Sequence, residues 1–299
     1  MNWAKVKNIL IVIFLILNIV LAYMNYQKNS SIYTLTSQQE SNIKKLLYEN
    51  NIMLYTLLPK QYPPMRKLIL APVIFSEDEK DQIIKTFFNT NDGISIYIEK
   101  IEPDIIQTVY KKDGKTIGFS DGRISYSEEL NFKEQVIYSK EDAKKLADNF
   151  LKKMDYNLSD LKVDFMEEEK GVYRFLYYET YKDSYIYNSY IEILIRAEGI
   201  EYADIYKMKP VKYTEFSRSI YAPDEILFGF MNQFKKIEDN KSIIVIQKID
   251  IGYLIESDKR TDSGWEAIPY YRITLADGRS FFLNAYTSKM SFENAKIQF

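Results

Sequence analysis

The hydrophobic pattern divides the chain into one unbroken apolar run near its start and a long region of shorter, alternating patterns. From Ile9 to Met24 the apolar run is interrupted only by Asn18. With Val6 and Tyr26 at its ends, the run reaches about 20 residues, the length that a helix needs to cross a bilayer. The pattern therefore predicts a transmembrane helix.

The residues around this run predict its orientation and its fate. Lys5 and Lys7 precede the run, whereas only Lys28 follows it closely, and this bias favours a cytoplasmic N-terminus with the bulk of the chain exported. A cleaved signal peptide is the alternative, but Ala22 is followed by large residues, so no small-residue cleavage site is present. The sequence favours an uncleaved anchor, with residues 1–30 forming a cytoplasmic stub and a transmembrane signal anchor.

Four later segments carry the signals of a helix start. Ser37–Glu40 and Ser76–Glu79 fit the capping box, in which Ser caps a backbone N–H group and Glu reaches back. Ser139 opens a third segment, and Pro223 with the two acidic residues after it opens a fourth. Apolar residues recur at helical spacing behind each start, which predicts four amphipathic helices.

Between these helices the pattern changes to runs rich in Ile, Tyr, Phe and Val, which are typical of strands. Asp-Gly pairs, a strong hairpin signal, join such runs at Asp113-Gly114, Asp121-Gly122 and Asp277-Gly278. Residues 172–208 read as three strands with turns near Lys182 and Gly199.

A helix followed by an antiparallel meander thus recurs along the chain. The recurrence predicts an α+β fold in which an N-terminal transmembrane helix precedes repeated helix-plus-antiparallel-sheet units. A polar stretch near residues 127–140 predicts a boundary between two extracellular α+β domains, residues 31–130 and 131–299.

Composition removes several classes of function. With no His and no Cys, the chain cannot form a Ser-His-Asp triad, a Cys-His nucleophile or a zinc finger. Its formal net charge of −2 argues against nucleic-acid binding, which needs clustered basic residues. No nucleophile elbow, S-x-x-K motif or phosphate loop is found. We therefore expect no enzyme activity, no cofactor and no metal site.

Aromatic residues at a spacing of two form a candidate contact face. Tyr173, Phe175 and Tyr177 share one side of a predicted strand, and Tyr185 and Tyr187 are expected to lie across from them. If exposed, this face could grip a partner or a glycan. The alternative is a cross-strand ladder packed beneath a helix.

Both ends of the chain resemble one protein family. The matching residues are Met1–Lys7, Leu17–Leu21, Tyr271–Leu275, Asp277-Gly278 and Leu283–Ala285. They resemble the YycI (WalI) family of single-pass membrane proteins, and the length and layout agree over the whole chain.

The resemblance implies a fold and a role. Proteins of this family work with a sister protein, YycH, and both contact the sensor histidine kinase YycG (WalK), whose two-component system controls cell-wall metabolism. Their exported fold is similar to the last domains of YycH and distantly to the PepSY unit. The resemblance implies a non-catalytic regulator in the cell membrane. The alternatives are an exported binding module for a peptide or cell-wall fragment and, less favoured, a membrane-anchored hydrolase.

Contacts with a kinase inside the membrane would come from the apolar helix, and Trp3 and Asn18 are the candidates. Association of helices in lipid depends on close packing and polar contacts, since lipid tails are as apolar as Leu. The Asn18 amide has two equally favoured roles: a hydrogen bond within its own helix, or one to a partner helix.

Overall fold

A computed structural model describes residues 3–89, 92–102, 105–129, 138–169, 171–196, 199–237 and 243–291, and every structural statement below concerns these ranges. The fold is a mixed α+β fold, and most of its regular structure is sheet. The helices are α1 (Trp3–Ile32), α2 (Ser37–Glu49), α3 (Glu77–Phe88), α4 (Lys140–Lys153) and α5 (Pro223–Phe234), with a 3-10 turn at Leu158–Asp160.

The strands follow the helices in groups. They are β1 (Ile52–Leu54), β2 (Met65–Pro72), β3 (Ser95–Glu102), β4 (Ile105–Lys112), β5 (Lys115–Ser120), β6 (Arg123–Glu128), β7 (Leu161–Glu169), β8 (Val172–Tyr181), β9 (Ser184–Arg196), β10 (Gly199–Tyr206), β11 (Met208–Arg218), β12 (Ile244–Thr261), β13 (Gly264–Leu275), β14 (Ser280–Asn284) and β15 (Met290–Ser291).

The predicted helix starts are confirmed at α3, α4 and α5. Ser76 and Ser139 are the N-caps of α3 and α4, and Pro223 is the first residue of α5. The start of α2 lies one residue earlier than predicted, because Thr36 accepts the hydrogen bond from the Gln39 amide and forms the capping box with it.

The predicted hairpins are confirmed as well. Asp113 and Gly114 join β4 to β5 with φ angles of 49° and 77°, as a type I′ turn requires. Lys182 and Asp183 join β8 to β9 with φ angles of 48° and 64°. The other two Asp-Gly pairs lie between β5 and β6 and between β13 and β14.

The chain forms two compact units, each assembled from separated segments. Unit 1 comprises Met1–Met65, Arg218–Asp250 and Tyr271–Phe299, and unit 2 comprises Arg66–Ser217 and Ile251–Tyr270. The division into two consecutive domains, residues 31–130 and 131–299, stays a prediction from the sequence. The predicted boundary between residues 130 and 131 lies outside the described residues.

In unit 2 the strands follow the order β11-β2-β13-β12-β9-β10-β6-β5-β4-β3, with residues 251–270 supplying the parts of β12 and β13 that belong to this unit, and β7 and β8 extend the sheet from β9. Its core includes residues of α3 and α4 together with strands β5, β6, β8, β9 and β10. Phe87 of α3 contacts Tyr126 and Phe150, with ring centroids 5.0 and 5.3 Å apart. Residues of α3 and α4 therefore share one core, in which Phe87 and Phe150 are in contact.

In unit 1, α5 buries one stripe of its surface, formed by Ile226, Leu227, Phe230, Met231 and Phe234. Phe230 and Phe234 contact Phe281 of β14. Strand β1 pairs in parallel with the start of β12, from Ile52 opposite Ile244. Helix α2 adds Ile43 and Leu47 to the buried side chains.

Candidate functional site

Helix α1 presents an apolar surface that the rest of unit 1 leaves uncovered. The 20 residues from Lys5 to Met24 are long and apolar enough to cross a membrane, and none of this segment is buried. Trp3, one of the two predicted contact residues, is 74% exposed at the start of the helix. A helix that is apolar on all sides and uncovered is suited to lipid or to another helix.

Asn18 forms a hydrogen bond within its own helix, one of the two roles expected from the sequence. Its Nδ2 donates to the carbonyl oxygen of Phe14 at 3.0 Å. An amide side chain has two N–H donors and an acceptor oxygen, so this single bond does not use its full capacity. The geometry therefore leaves a contact between Asn18 and a partner helix as a prediction.

The segment between α1 and α2 is tied to a second segment of unit 1, which we call the junction (residues 32–36 with 58–62). The Leu35 amide donates to the Lys60 carbonyl at 2.7 Å, and the Tyr62 amide donates to the Tyr33 carbonyl at 3.0 Å. Thr34 and Gln61 form an antiparallel bridge.

Side chains reinforce the junction on both sides. The Tyr62 hydroxyl donates to the last carbonyl of α1, that of Ile32, at 3.2 Å, and its ring meets the Tyr33 ring edge-on at 6.2 Å. Leu35 and Leu58 are each only 3% exposed. The end of α1 is thus hydrogen-bonded to folded chain, and no free linker separates α1 from α2.

Charges also converge on the junction. Glu40 of α2 is paired with Lys44 at 2.7 Å and with Lys60 of the junction. Hydrogen bonds from these two ammonium groups hold the pKa of Glu40 below its usual range. Burial, with the nearby Asp224 and Glu225 carboxylates, raises the pKa of Tyr62, so its hydroxyl stays a donor at neutral pH.

A groove of about 610 Å³ lies between α2 and α5 in unit 1. Its apolar lining is Ile43, Leu46, Tyr221 and Phe228, and its polar lining is Gln39, Asn42, Asp224, Glu225, Asn232, Gln233 and Ser288. Gly229, in the middle of α5, completes the lining. Within the described part of the chain, Oδ1 of Asp224 and Oγ of Ser288 are buried without a hydrogen-bond partner. A buried polar atom without a partner is costly, so this groove suits a ligand that offers a hydrogen-bond donor beside an apolar group.

The first three aromatic residues of the predicted contact face are buried. Tyr173, Phe175 and Tyr177 are 1–2% exposed and lie opposite isoleucines of β9. The Tyr177 hydroxyl donates to Asp148 of α4 at 3.2 Å, and Tyr173 donates to the Tyr138 carbonyl at 2.8 Å. These contacts match the alternative interpretation of a ladder beneath a helix.

Tyr185 and Tyr187 lie on the opposite side of the sheet from the first three aromatic residues. Both pack against Tyr178, with ring centroids 6.1 and 5.7 Å apart, and they stack on each other at 5.8 Å. Adjacent residues of a strand point to opposite faces, so Tyr177 and Tyr178 separate the two sets. Tyr185 and Tyr187 are at most 9% exposed. The five aromatic residues therefore form two buried clusters and do not form an exposed contact face, because both sides of β8 are covered.

Comparison with known proteins identifies the family. A family model described as YycI protein matches residues 30–286. The chain belongs to the YycI family. The match begins where the apolar helix is ending and spans both units. Membership of the YycI family associates the chain with the YycFG two-component system, and the exposed apolar helix α1 is compatible with a membrane-associated protein.

Two solved structures are similar to this YycI-family chain. A crystal structure of an uncharacterized protein from Eubacterium rectale is similar with a TM-score of 0.53 at 15% identity, covering 80% of this chain and 90% of that chain. The C-terminal domain of YpeB from Bacillus megaterium gives a TM-score of 0.43 at 15% identity, covering 74% and 98%. No curated protein matches the chain.

Sequence patterns pointed to the apolar helix but not to the junction or the groove. Both features depend on residues that are far apart in the chain, such as Leu35 with Lys60 and Leu46 with Phe228. The apolar stripes of α2 and α5 were the only available signal. A stripe shows that a helix is covered on one side and does not show by what.

Proposed function

We propose that this YycI-family chain is a non-catalytic regulator of a sensor histidine kinase of the YycG (WalK) type. Helix α1 anchors it in the cell membrane, and it acts through contacts of this helix and of its exported units. A YycH-like sister protein is the second partner. The system that it regulates controls cell-wall metabolism.

The junction is the observation that carries this proposal. Regulation through a membrane helix requires that a change in the exported part alters the position or register of that helix. A flexible linker would absorb such a change, whereas the junction hydrogen-bonds the last turn of α1 to residues 58–62. Allosteric coupling usually amounts to about 1–3 kcal/mol, and helix packing with one interhelical amide bond reaches that scale.

Orientation and architecture belong to the same proposal. Lys5 and Lys7 favour a cytoplasmic N-terminus, which places both units outside the cell. The order α3 before β3–β6, and α4 before β7–β10, supports an exported part built from repeated helix-plus-antiparallel-sheet units.

The substitution Asn18→Leu tests the helix contact. It removes the amide at the centre of α1 and keeps the helix apolar, so we expect kinase output to change and the kinase to be recovered less well in a mild-detergent pull-down. Asn8→Leu is the matched control, because the amide of Asn8 lies near the end of the helix, where water can satisfy it. Unchanged kinase output with Asn18→Leu would show that Asn18 makes no contact needed for regulation.

Two further variants of the full-length chain test the mechanism as a whole. Replacing residues 1–30 by an unrelated membrane anchor should abolish regulation and recovery of the kinase. Inserting a flexible Gly-Ser segment after Ile32 should preserve recovery of the kinase but weaken regulation, because the junction would no longer hold the end of α1. Full regulation by both variants would refute the proposal.

An exported binding module for a peptide or cell-wall fragment is the second candidate function, and the groove between α2 and α5 supports it. The test is titration of the full-length protein in detergent with a soluble muramyl peptide. Saturable binding that Phe228→Ala weakens would favour the module, since Phe228 is 50% exposed in the groove lining. Lys45→Ala, on the exposed face of α2, is the control.

A further inference from the structure

The groove between α2 and α5 is negatively charged. Its charged lining residues are Asp224 and Glu225, the second and third residues of α5, and within the described ranges no Lys or Arg lines it. The dipole of α5 favours negative charge at this end of the helix, which makes two adjacent carboxylates tolerable there. The dipole supplies no hydrogen-bond donor on the groove side, so a cation from outside the chain can still bind.

The charges of these carboxylates affect neighbouring groups of unit 1. Burial raises the pKa of Tyr62 and of Tyr271, and nearby negative charge, including that of Asp224 and Glu225, raises both pKa values further. A cation bound close to the carboxylates would cancel this effect. The groove therefore has a negative potential, which favours a cationic ligand over a neutral or anionic one.

One carboxylate oxygen in the groove is buried without a donor. Oδ1 of Asp224 has no hydrogen-bond partner within the part of the chain that the structure describes. The neighbouring carboxylate of Glu225 is already engaged, since its Oε2 accepts the Ala222 amide at 2.9 Å. Burying a charged oxygen without a donor is costly, and an ionised donor would form the strongest hydrogen bond with it. Asp224 is thus the anchor point for a cationic group.

An apolar surface adjoins this anchor point. Phe228 follows Asp224 by four residues, so the two side chains are neighbours on one face of α5. Phe228 and Tyr221 are 50% and 40% exposed, and Ile43 and Leu46 of α2 line the other side of the groove. A cation at Asp224 could also lie over the Phe228 ring, whose face attracts positive charge. The carbon chain that carries the cation would then contact α2.

Hydrogen bonds hold both walls of the groove in place. On α2, Oε1 of Gln39 accepts the Thr36 amide at 3.0 Å and the Thr36 hydroxyl at 2.8 Å. On α5, Nε2 of Gln233 donates to the Gly229 and Ser288 carbonyls, each at 2.9 Å. The buried Oγ of Ser288 packs directly against Gly229, where any side chain would collide with it. The groove is thus formed in advance, as ligand sites usually are.

We propose that this groove binds a peptide in which a lysine lies next to apolar residues, with the lysine ammonium on Oδ1 of Asp224. Arginine fits less well, because its planar fork needs two parallel acceptors and one buried oxygen is open. A volume of about 610 Å³ exceeds that of one lysine side chain, so the apolar neighbours of the lysine would fill the rest. This ligand specifies the peptide of the second candidate function, on which the inference rests, and does not involve the contact of α1 with a kinase.

Calorimetric titration of the full-length protein in an uncharged detergent tests the role of the ammonium. The probe is a leucine-lysine-leucine peptide with acetylated and amidated ends. An acetyl-lysine counterpart lacks the charge, and a trimethyl-lysine counterpart keeps the charge but cannot donate a hydrogen bond. The lysine peptide should bind saturably. Both counterparts should bind at least about tenfold more weakly, because neither forms the charge-assisted hydrogen bond to Asp224.

The substitution Asp224→Asn tests the anchor point. It keeps the shape of the side chain and removes its charge, so the variant should lose most of the preference for the lysine peptide. Lower stability alone would weaken all three peptides alike and would not remove this preference. Asp78→Asn is the matched control, because Asp78 is the second residue of α3, as Asp224 is of α5, and lies outside the groove. This control should keep the preference.

Phe228→Ala should weaken the lysine and acetyl-lysine peptides alike, because both share the apolar contact, whereas Lys45→Ala on the exposed side of α2 should change neither. Equal affinity of the three peptides for the unsubstituted chain, or an unchanged preference with Asp224→Asn, would overturn the proposal. Binding of a muramyl peptide that depends on Phe228 but shows no preference for an ammonium group would refute this ligand alone and leave the binding module standing.

Discussion

Arg272 and Asp250 form a buried ion pair in unit 1. Arg272 is 1% exposed, and its Nε and Nη2 atoms lie 3.1 and 2.8 Å from the two carboxylate oxygens of Asp250. The pair could not be recognised from sequence, because 22 positions separate two residues of types that are usually exposed. Only the pairing of β12 with β13 brings them together.

The structure predicts how this ion pair responds to substitution. Asp250→Ala should lower the free energy of unfolding by about 3–5 kcal/mol, because it leaves the Arg272 guanidinium buried without its counter-charge. Asp250→Leu combined with Arg272→Met should lower the free energy of unfolding by clearly less, since neither member of the buried ion pair then remains. Denaturant unfolding of the full-length protein in detergent measures both, and an equal loss in the two variants would contradict this account.

For Glu179 of β8, the effect of burial on the pKa is larger than the opposing effect of its hydrogen-bond and charge partners. Burial raises the pKa of Glu179, although the Ser189 hydroxyl donates to it at 2.5 Å and the Lys207 ammonium lies 3.9 Å away. An acid whose pKa is raised by folding costs stability once it is ionised. This destabilisation is fully present at pH values above the pKa of Glu179 in the folded state. It disappears as the pH falls to the pKa of the same group in the unfolded chain, about 4.3.

Glu179→Gln should therefore make the protein more stable than the unsubstituted chain at pH 7, and the difference should vanish near about pH 4. The amide oxygen of Gln can still accept the Ser189 hydrogen bond. Unfolding measured at several pH values, with the exposed Glu215→Gln of β11 as the control, gives the difference directly. A Glu179→Gln variant that is less stable at every pH would show that the ionised carboxylate is net favourable.

At the scale of elements, local signals located the helices and hairpins, but strand neighbours could not be predicted. Ser76, Ser139 and the Asp-Gly turns act through backbone groups a few residues away, so their effect can be predicted from the local sequence. The parallel contact of β12 with β9, at Gly252 opposite Tyr185, joins segments that share no turn.

Gly252 makes this strand contact possible, because a side chain at this position would meet β9. A Cβ atom there would lie 2.6 Å from the Tyr185 carbonyl oxygen and 2.9 Å from the Tyr187 ring. Gly252→Ala should destabilise the protein by about 1–3 kcal/mol, because the two strands must separate. Gln247→Ala, at an exposed position of the same strand, should change stability by less than about 0.5 kcal/mol. A thermal melt of the full-length chain compares the two.

For the whole molecule, the uncovered helix predicts behaviour in a membrane. The full-length chain should remain in the membrane fraction after alkaline carbonate extraction. Phe14→Lys combined with Leu17→Lys should move it to the soluble fraction, because each central Lys costs about 2.5–3.5 kcal/mol on insertion. Phe14→Leu combined with Leu17→Ile is the control that keeps the helix apolar. Retention of the lysine variant would mean that the protein is held by something other than insertion of α1.

The sequence by itself determined what depends on neighbours along the chain: the apolar helix, three helix starts, the Asp-Gly hairpins and the α+β class. Its matches at the two ends also indicated the family, which the match over residues 30–286 confirmed. A spacing of two shows that aromatic side chains share a face of a strand, but it does not show whether another element covers that face. For this reason the sequence left both a contact face and a packed ladder open for the aromatic residues, which are buried in the structure: Tyr173, Phe175, Tyr177, Tyr185 and Tyr187.

Only the tertiary structure decided the division into units, the junction at the end of α1 and the groove beside Phe228 with the buried Asp224 oxygen. Each of these results from contacts between segments that the chain keeps far apart. Such contacts are selected by the packing of the whole core, and no short stretch of sequence specifies them.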